Sequence, residues 1–338
     1  MDAPPVQYVK TNDGYSIAHS LIGAGQPFVF LGGPLSHLQL EWRLDDTRAW
    51  CERLSERFQL IRYDSRGQGL STRGLPKSHS VDDYVRDLEI VADHLKLERF
   101  ILMAGGACHI AAKYALKHPA RLAALIFLGG WLTYGTGSST SAILALARQD
   151  WDLFLYNFVA RSLPPDQAQI CYDMHRQSMT IDDWEVGWRA MWDSRIEDLL
   201  PMMTTPTLVI HPTSDETFLP LETSTRFAQL ANARLVVMEG NLRVPELESG
   251  FKAIDDFLAS LPPAEPQPAA PSTSPGSLSA RQAEVLRLIG EGRTNREIAG
   301  ALVLSERTVE RHVADVYAKI DAANRAQAAV YAKEHGLV

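Results

Sequence analysis

Short apolar runs alternate with amphipathic stretches over the first 261 residues of the chain. The apolar runs end in turn residues, as buried strands do, and they read PFVFLGG, FQLIRYD, RFILMAGG, LAALIFLGG, TLVIH and RLVVMEG. Helix-like stretches lie between them, among them Val81–Leu95, Ile110–His118 and Glu222–Leu230. This alternation indicates a mostly parallel sheet covered by helices, so we predict an α/β, doubly wound fold for this part of the chain.

Near the C-terminus the apolar positions follow the helical period instead. Ser279 with Gln282, and Thr294 with Glu297, have the spacing of a capping box, and Ser305 is a third N-cap candidate. The third predicted helix covers Ser305–Ile320 and follows the second after a tight turn. Three short helices in this order predict a small all-α helix-turn-helix domain. The predicted apolar faces are Val285, Leu286, Leu288 and Ile289, then Ile298, Ala299 and Leu302, then Val309, Val313, Val316 and Ile320.

A proline-rich stretch, PPAEPQPAAPSTSPGS, covers residues 262–277 and has no large apolar residue. Such a composition is typical of a semi-extended linker. We therefore predict a domain over residues 1–261, a linker over 262–277 and a helical domain over 278–338. A last helix, about Arg325–Glu334, has small residues that we expect to form a close dimer contact, namely Ala326, Ala328, Ala329 and Ala332.

Composition and charge favour a globular cytoplasmic protein over a membrane or secreted one. The chain has 338 residues, 46% of them hydrophobic, and a net charge of −8. Residues 277–338 hold nine Lys and Arg against eight Asp and Glu, a net charge of +1. No apolar run approaches the ~18 residues of a membrane helix, and no signal peptide is visible. Three widely spaced cysteines suit a reducing cytoplasm, and no histidine pair has the spacing of metal ligands, so we predict a cytoplasmic protein without metal or cofactor.

The C-terminal segment LSARQAEVLRLIGEGRTNREIAGALVLSERTVERHVADVYAKI, followed by NRAQAAVYAKEHGL, resembles the LuxR-type (GerE/NarL-like) DNA-binding domain. The resemblance implies that the third helix reads bases and that the preceding helix start contacts phosphates. Arg311 can donate two hydrogen bonds to a guanine, and Glu310 can accept one from a cytosine amino group. The implied base-reading residues are Glu310, Arg311 and Ala314, and the implied phosphate contacts are Thr294, Asn295, Arg296, Ser305, Thr308 and Lys319.

The N-terminal domain resembles the α/β-hydrolase fold, with a helical cap over about residues 131–200. The resemblance rests on GGPLSHLQLEW, YDSRGQGLS and AAKYALKHPARLAALIFLGG. Counting back from Pro119, the family's nucleophile position falls on Gly105, which has no side chain to attack a substrate. Shifting the register by a residue brings in Ala104, Gly106 or Ala107, which also lack a nucleophile. Cys108 is the nearest alternative, but it should lie inside the following helix as a buried, inert thiol.

The other catalytic positions of the family also differ here. Arg243 stands where the family has its histidine base, and a guanidinium does not accept a proton at physiological pH. The acid position is Asp215 or Glu216, and the spacing to Pro220 leaves the choice open. Pro34 occupies the position of the first oxyanion donor and has no N–H, although a one-residue shift would restore Gly33 as donor. The resemblance therefore implies a hydrolase fold without hydrolase activity.

A fold that loses its chemistry keeps its pocket, and five tryptophans fall in the predicted cap region, at positions 131, 151, 184, 188 and 192. They have two interpretations, packing of the cap on the sheet or walls of an apolar ligand pocket. Arg243 likewise has two interpretations: it pairs with the carboxylate at the family's acid position, Asp215 or Glu216, or it contacts a ligand. The predicted ligand-binding residues are Gly33, Pro34, Gly105, Gly106, Trp131, Trp188 and Arg243.

These features predict a cytoplasmic, dimeric transcriptional regulator. Its hydrolase-like domain would bind a small aromatic or carbonyl-bearing effector, and its C-terminal domain would bind operator DNA. Two alternatives stay open. The first is a bifunctional hydrolase and regulator with a displaced nucleophile such as Cys108. The second is a dimerisation platform that binds no ligand.

Overall fold

In a computed structural model the chain forms two compact units, Met1–Leu261 and Pro262–Val338. The structure describes residues 2–33, 35–132, 138–160, 165–213, 219–240, 244–262, 280–302, 309–310, 313, 316–317, 320, 322, 324–334 and 337. None of the described helices is long and apolar enough to cross a membrane.

The first unit is built on an eight-stranded sheet in the order β1-β2-β4-β3-β5-β6-β7-β8. Strands β3 to β8 run parallel to one another, whereas β2 is antiparallel to both β1 and β4. The strands are β1 Val6–Lys10, β2 Ser16–Ile22, β3 Gln26–Leu31, β4 Phe58–Tyr63, β5 Phe100–Gly105, β6 Leu122–Leu128, β7 Thr207–Pro212 and β8 Arg234–Met238.

Within the described residues of this unit, nine α-helices connect and cover these strands. They are α1 Asp45–Ser55, α2 Val81–His94, α3 Cys108–Lys117, α4 Ser138–Gln149, α5 Trp151–Ala160, α6 Pro165–Ser178, α7 Ile181–Asp193, α8 Leu221–Leu230 and α9 Leu247–Ser260. The predicted α/β fold is confirmed, and the six predicted strands correspond to β3 to β8. The sequence prediction did not include β1 and β2, which form the antiparallel edge of the sheet.

The two faces of the sheet bury different halves of each strand. In β5, Phe100, Leu102 and Ala104 belong to the core cluster that contains α2, α3 and α8. Ile101 and Met103 point to the opposite cluster, which contains α1 and α9. Side chains alternate across a strand, so a strand covered on both faces is apolar throughout. This explains why the strands appear in the sequence as unbroken apolar runs.

Helices α4 to α7 lie between β6 and β7 in the chain and form a cap with its own small core. That core contains Phe154, Leu155, Met179 and Trp184 from the cap together with Leu35 from the loop after β3. Because Leu35 comes from the sheet domain, the cap and the sheet domain bury this residue jointly. The cap is thus packed on the loop that follows β3.

The second unit contains helices α10 Ala280–Gly290, α11 Asn295–Leu302 and α12 Arg325–Glu334. Residues 309–310, 313, 316–317 and 320, within the predicted third helix, are also helical. All the apolar positions predicted from the helical period lie in the core of this unit, with Leu302 and Ile320 partly buried. Gly292 follows α10 with φ of 80°, a conformation that glycine adopts without strain.

The expectation that four alanines form a dimer face is wrong for two of them. Ala328 and Ala332 are fully buried in the core of the unit itself. Ala326 is exposed and Ala329 is half-buried. Alanine at helical spacing packs closely against any neighbouring helix, and here the neighbour is α10 of the same chain.

The start of α11 has the predicted capping box. The Thr294 hydroxyl accepts a hydrogen bond from the Glu297 N–H at 3.3 Å, and the Thr294 N–H donates to Glu297 Oε2 at 2.7 Å. Each bond satisfies an N–H that has no partner within the helix.

Replacing Thr294 by alanine should therefore destabilise α11 by about 1 kcal/mol, the usual value of an N-cap. Hydrogen exchange of the amides of residues 295–302 in the full-length protein should become about five-fold faster. Thr294→Ser keeps the hydroxyl and is the matched control. Equal protection in wild type and Thr294→Ala would show that the cap contributes nothing.

Candidate functional site

The turn between β5 and α3 lies at the carboxyl edge of the sheet. Gly105 is the last residue of β5 and still pairs with Leu128 of β6. Gly106 follows with φ of 67°, and α3 begins at Cys108. The tip of the turn is therefore Gly106, one residue later than the register counted from Pro119 predicts. Gly105 is held in the sheet by strand pairing, a tertiary constraint that counting along the sequence does not include.

The loop after β3 packs directly on this turn. A Cβ added to Gly33 would stand 2.9 Å from the Gly105 carbonyl oxygen, so only glycine fits there. Leu35 has φ of 76°, which costs a leucine roughly 1–2 kcal/mol. Its N–H donates to Gln68 Oε1 at 2.9 Å, which fixes the strained residue in place.

A fully buried carboxylate fixes the rest of the same loop. Asp64 accepts hydrogen bonds from the Ser36 hydroxyl at 3.1 Å and from the Leu38 N–H at 3.2 Å. It also accepts one from the Leu70 N–H at 2.9 Å. Burial raises the pKa of Asp64, and the backbone N–H donors and the His37 and Arg62 charges oppose that shift. The carboxylate thus ties the loop after β3 to the loop after β4.

Between the turn and the cap lies a cavity of about 30 Å³. Its floor and sides come from the sheet domain and its roof comes from α7 and the turn before it. Every side chain that lines it within the described ranges is uncharged. The lining residues are Gly32, Gly33, Ser65, Gln68, Tyr84, Gly106, Ala107, Ile110, Met179, Trp184, Gly187, Trp188 and Met191.

Aromatic rings form the roof of this cavity. The rings of Trp184 and Trp188 stack at 5.3 Å with an interplanar angle of 27°. Trp184 also contacts Phe154 at 4.8 Å and Trp151 at 5.5 Å. Trp192 meets Trp188 edge-on. The three tryptophans that repeat every four residues along α7 thus pack within the cap, and two of them, Trp184 and Trp188, also line the cavity.

The N-terminus of α7 is tied to the sheet domain by a buried aspartate. Asp183 Oδ1 accepts hydrogen bonds from the Leu75 N–H at 2.6 Å and from the Gly74 N–H at 3.0 Å. One turn earlier, the Gly69 N–H donates to the Ser178 carbonyl at 2.6 Å. These bonds hold the roof of the cavity at a fixed height over the turn.

A second, wider cleft of about 390 Å³ opens on the outer side of the cap. Met179 belongs to the lining of both spaces and separates them. The other residues of this cleft are Arg73, Trp151, Asp173, Arg176, Gln177, Thr180 and Ile181.

Cys108 lies at the first position of α3, where the sequence places it inside the helix. Its side chain is fully buried, and its Sγ donates to the Gly129 carbonyl at 3.2 Å. Burial raises the pKa of its thiol from 9.0 to about 12. Since the thiolate is the nucleophilic form, this thiol is inert at neutral pH.

Two other polar groups near β7 are also buried. His211 Nδ1 lies 3.0 Å from the Ser224 hydroxyl, and that hydroxyl accepts the Gly130 N–H at 3.0 Å. A serine beside a histidine is the chemistry of an activated nucleophile. Both side chains are fully buried here, so a substrate does not reach them. Among the described residues no group of three or more His, Cys, Asp or Glu is arranged to hold a metal.

The structure brings three of the predicted ligand-binding residues to the cavity, namely Gly33, Gly106 and Trp188. Gly105 lies directly behind Gly33. Trp131 is half-buried and packs against the core cluster of α2, α3 and α8. Pro34, Asp215, Glu216 and Arg243 lie outside the described residues.

The predicted ligand-binding residues omitted ten of the thirteen described residues that line the cavity, among them Tyr84, Gln68, Gly187 and Met179. Tyr84 belongs to α2 and Gly187 to α7, and these helices are far apart in the chain. The one signal in the sequence was Gly187, since glycine inside a helix is unfavourable and has a packing or functional reason.

On the second unit, the polar residues at the start of α11 have structural partners. Thr294 belongs to the capping box, and Asn295 Oδ1 accepts a hydrogen bond from Arg325 Nη1 at 3.0 Å. Arg296 and Glu310 are exposed. The other predicted DNA contacts, Ser305, Thr308, Arg311, Ala314 and Lys319, lie outside the described residues.

Comparison with protein families matches the two units separately. The model of bacterial regulatory proteins of the luxR family matches residues 276–332, and the model of the alpha/beta hydrolase fold matches residues 27–183. The chain joins an α/β-hydrolase fold to a LuxR-type DNA-binding domain.

Curated relatives match one unit each. The LuxR-type domain is 45% identical over 62 residues to the transcriptional regulatory protein LiaR of Bacillus subtilis, covering 18% of this chain and 29% of that protein. The hydrolase-fold unit is 42% identical over 82 residues to the putative carbamate hydrolase RutD of Caulobacter segnis, covering 23% of this chain and 30% of that protein. Each match thus spans under a third of the relative's length.

Solved structures match the hydrolase-fold unit as a whole. A hydrolase from Pseudomonas aeruginosa PA01 superposes with a TM-score of 0.65 and 23% identity, covering 77% of this chain and 100% of that one. An esterase from Exiguobacterium antarcticum also gives a TM-score of 0.65 and 23% identity, covering 75% of this chain and 99% of that one. At this identity the likeness establishes the fold alone.

The burial of the cysteines generates a test of the hydrolase-fold unit. Cys51, Cys108 and Cys171 are all buried, and burial raises the pKa of Cys51 as well to about 12. At pH 8 the folded protein should therefore leave all three thiols unreacted with dithionitrobenzoate for many minutes, whereas in guanidinium chloride all three should react at once. A fast-reacting thiol in the folded protein that disappears in Cys108→Ala would contradict the inert assignment.

Proposed function

We propose that this protein is a ligand-responsive transcriptional regulator of the cytoplasm. The LuxR-type domain binds operator DNA, and the hydrolase-fold unit binds a small aromatic or carbonyl-bearing effector without turning it over. The observation that carries the proposal is the turn after β5, where Ala104, Gly105, Gly106 and Ala107 provide no nucleophilic side chain beneath a closed, aromatic-roofed cavity.

Three features support the absence of catalysis. An α/β-hydrolase attacks its substrate with a side chain at the strand-to-helix turn, and here the turn carries only glycine and alanine. The nearest thiol, Cys108, is buried and protonated. The Leu35 N–H, next along the chain from Pro34, is bound to Gln68 rather than directed at a substrate oxygen. Arg243 at the base position adds to this case, because it does not accept a proton.

The ligand site of the proposal is the cavity over Gly106. Gly33 lines its floor with Gly105 directly behind it, and Trp184 and Trp188 form its roof. We assign Pro34, the neighbour of Gly33 in the chain, to the same site. Trp131 and Arg243 complete the proposed site at its edges, where we assign Arg243 to an ion pair with Asp215 or Glu216, so that its charge is not free for a ligand. Loss of the serine side chain leaves room for a ligand where a hydrolase keeps its nucleophile, so a hydrolase fold converts to a receptor by substitution at very few positions.

The DNA-binding half of the proposal follows from the LuxR-type domain. Glu310, Arg311 and Ala314 would contact bases, while Thr294, Asn295, Arg296, Ser305, Thr308 and Lys319 would fix the helix on the phosphates. The C-terminal segment carries a net charge of only +1, so the electrostatic attraction of one copy for DNA is weak. A homodimer on a palindromic operator doubles these contacts.

Coupling between the two functions requires that the effector binds the DNA-competent dimer and the incompetent dimer with different affinity. The linker over residues 262–277 is proline-rich and does not transmit a shape change as a folded element would. We therefore assign the coupling to the cap, whose helix α7 forms the roof of the cavity. A ligand that displaces α7 alters the outer surface of the cap, where a dimer contact would sense it.

A second function has one observation in its favour. The hydrolase-fold unit is 42% identical over 82 residues to a putative carbamate hydrolase. Under this alternative the chain is a bifunctional hydrolase and regulator that uses a displaced nucleophile such as Cys108. An assay of ester hydrolysis distinguishes the two functions.

The regulator should not hydrolyse p-nitrophenyl acetate or butyrate above the buffer rate, because the turn after β5, where a hydrolase of this fold carries its nucleophile, has only glycine and alanine. The rate of nitrophenolate release should be the same for wild type and Cys108→Ala. Turnover that is lost in Cys108→Ala would establish the bifunctional alternative. Turnover that persists in Cys108→Ala would instead require a nucleophile elsewhere in the unit.

Arg311→Ala should weaken binding to an operator selected from random DNA by about 1–3 kcal/mol and relax the preference at one base pair. Lys319→Ala is the matched comparison, because loss of a phosphate contact weakens binding to all sequences alike and lowers the salt dependence. Gel-shift titrations at two salt concentrations distinguish these results. An Arg311→Ala protein with wild-type affinity and base preference would place the reading helix elsewhere.

A further inference from the structure

The Tyr84 hydroxyl is a buried polar group at the wall of the cavity. The residue is 6% exposed and lines the cavity from α2. Its ring is held edge-on by His79, with ring centroids 4.3 Å apart. Within the described part of the chain this hydroxyl has no hydrogen-bond partner. Because it lines the cavity and has no partner in this part of the chain, the hydroxyl can donate a hydrogen bond to a bound molecule.

A glycine of helix α7, Gly187, lies directly against this hydroxyl. A Cβ added to Gly187 would stand 2.5 Å from the Tyr84 hydroxyl oxygen, too close for any side chain. Glycine in the interior of a helix is unfavourable relative to alanine, so its presence there has a packing reason. Gly187 thus preserves the position of the hydroxyl at the boundary between the sheet domain and the cap.

Gln68 provides a second donor on the same cavity. Its carboxamide oxygen accepts the Leu35 N–H at 2.9 Å, which fixes the orientation of the amide. Across the ranges that the structure describes, its NH₂ group has no partner, and the residue is 5% exposed. The Tyr84 hydroxyl and the Gln68 amide are therefore two donors in one cavity whose other walls are mostly apolar.

The charge state of Tyr84 and of the other lining residues determines which ligands these two donors can bind. Burial and the nearby carboxylates of Asp87 and Asp183 raise the pKa of Tyr84, so the hydroxyl keeps its proton and donates. Among the residues that the structure describes, no charged side chain lines the cavity. An ionised ligand would lose its hydration without gaining a counter-charge, which is strongly unfavourable.

We propose that the cavity binds an uncharged aromatic ligand through a carbonyl oxygen that accepts hydrogen bonds from the Tyr84 hydroxyl and the Gln68 amide. The ring of the ligand packs against Trp184 and Trp188, which form the roof. This inference rests on the proposed function and specifies the chemistry of its effector.

The closed cavity of about 30 Å³ is smaller than an aromatic ring, so entry requires a side chain to move. Met179 and Met191 are the flexible members of the lining, since a methionine thioether rotates about three bonds. Met179 also separates the cavity from the 390 Å³ outer cleft. Rotation of Met179 joins the two spaces and gives the ligand both a route and the required volume.

The test uses benzamide and benzoate as probes, because they have nearly the same shape and differ in charge. Binding to the full-length protein at pH 7 is followed by tryptophan fluorescence, to which Trp184 and Trp188 contribute. Benzamide should quench it saturably, and benzoate should bind at least ten-fold more weakly. Tyr84→Phe should weaken benzamide binding about five- to ten-fold, the effect of one lost hydrogen bond.

The stability of the Tyr84→Phe variant shows whether the hydroxyl binds a ligand or stabilises the fold. Tyr84→Phe should unfold at the same urea concentration as wild type or higher, because the hydroxyl has no internal partner to lose. Tyr114→Phe is the matched control, since its hydroxyl is also buried without a partner among the described residues and Tyr114 does not line the cavity. That variant should retain both its stability and its affinity for benzamide.

Three results would overturn the inference: no saturable quenching by benzamide, equal affinity for benzoate, or unchanged benzamide affinity in Tyr84→Phe. A lower unfolding midpoint in Tyr84→Phe would assign the hydroxyl a structural role and overturn it as well. These failures are distinct from failure of the proposed function, which is decided by operator binding and by ester turnover. A protein that binds operator and hydrolyses nothing, yet ignores benzamide, would still be a regulator whose effector has another chemistry.

Discussion

The buried carboxylate of Asp64 is the interaction on which the cavity depends. It binds the Ser36 hydroxyl and the N–H groups of Leu38 and Leu70, and it is fully buried. A Cβ added to Gly69 would stand 2.1 Å from its Oδ2, so the chain must be glycine there. Removing one partner of such a buried charge typically costs 3–5 kcal/mol. The loops after β3 and β4 are therefore fixed relative to one another.

The strained conformation of Leu35 is a consequence of that arrangement. With both loops fixed, Gln68 reaches the Leu35 N–H, and Leu35 inserts into the core of the cap. The same residue thus closes the loop after β3 and supports the cap. The loop after β3 is therefore part of the packing between the sheet domain and the cap.

The cap is fixed to the sheet domain at the start of α7, whereas flexible side chains line its inner face. Asp183 binds two backbone N–H groups of the sheet domain at the start of α7, so that end behaves as a fixed point. Further along the roof, Met191 and the neighbouring Met179 provide side chains that change shape at low cost. A binding event in the cavity can therefore rearrange the roof while the attachment of α7 stays intact, which is what a sensor requires.

The sequence by itself determined the elements and the division of the chain. Apolar runs marked six parallel strands because those strands are buried on both faces, and the helical period marked the core of the LuxR-type domain residue by residue. Strands β1 and β2 escaped notice because neither is an unbroken apolar run: β1 has Gln7 and Lys10 at exposed positions, and β2 contains Ser16, His19 and Ser20. The resemblance to two families rested on local motifs, which persist in sequence whatever the long-range contacts.

Only the tertiary structure decided which residues form the site. Strand pairing keeps Gly105 in β5 and moves the tip of the turn to Gly106. Packing of α12 on α10 turned Ala328 and Ala332 from a predicted dimer face into core. Tyr84, Gln68 and Gly187 meet at one cavity although they belong to separate segments, and the missing partner of the Tyr84 hydroxyl is a property of their arrangement in space. Periodicity specifies which face of an element is buried, whereas the neighbour of each buried group depends on how distant elements pack together.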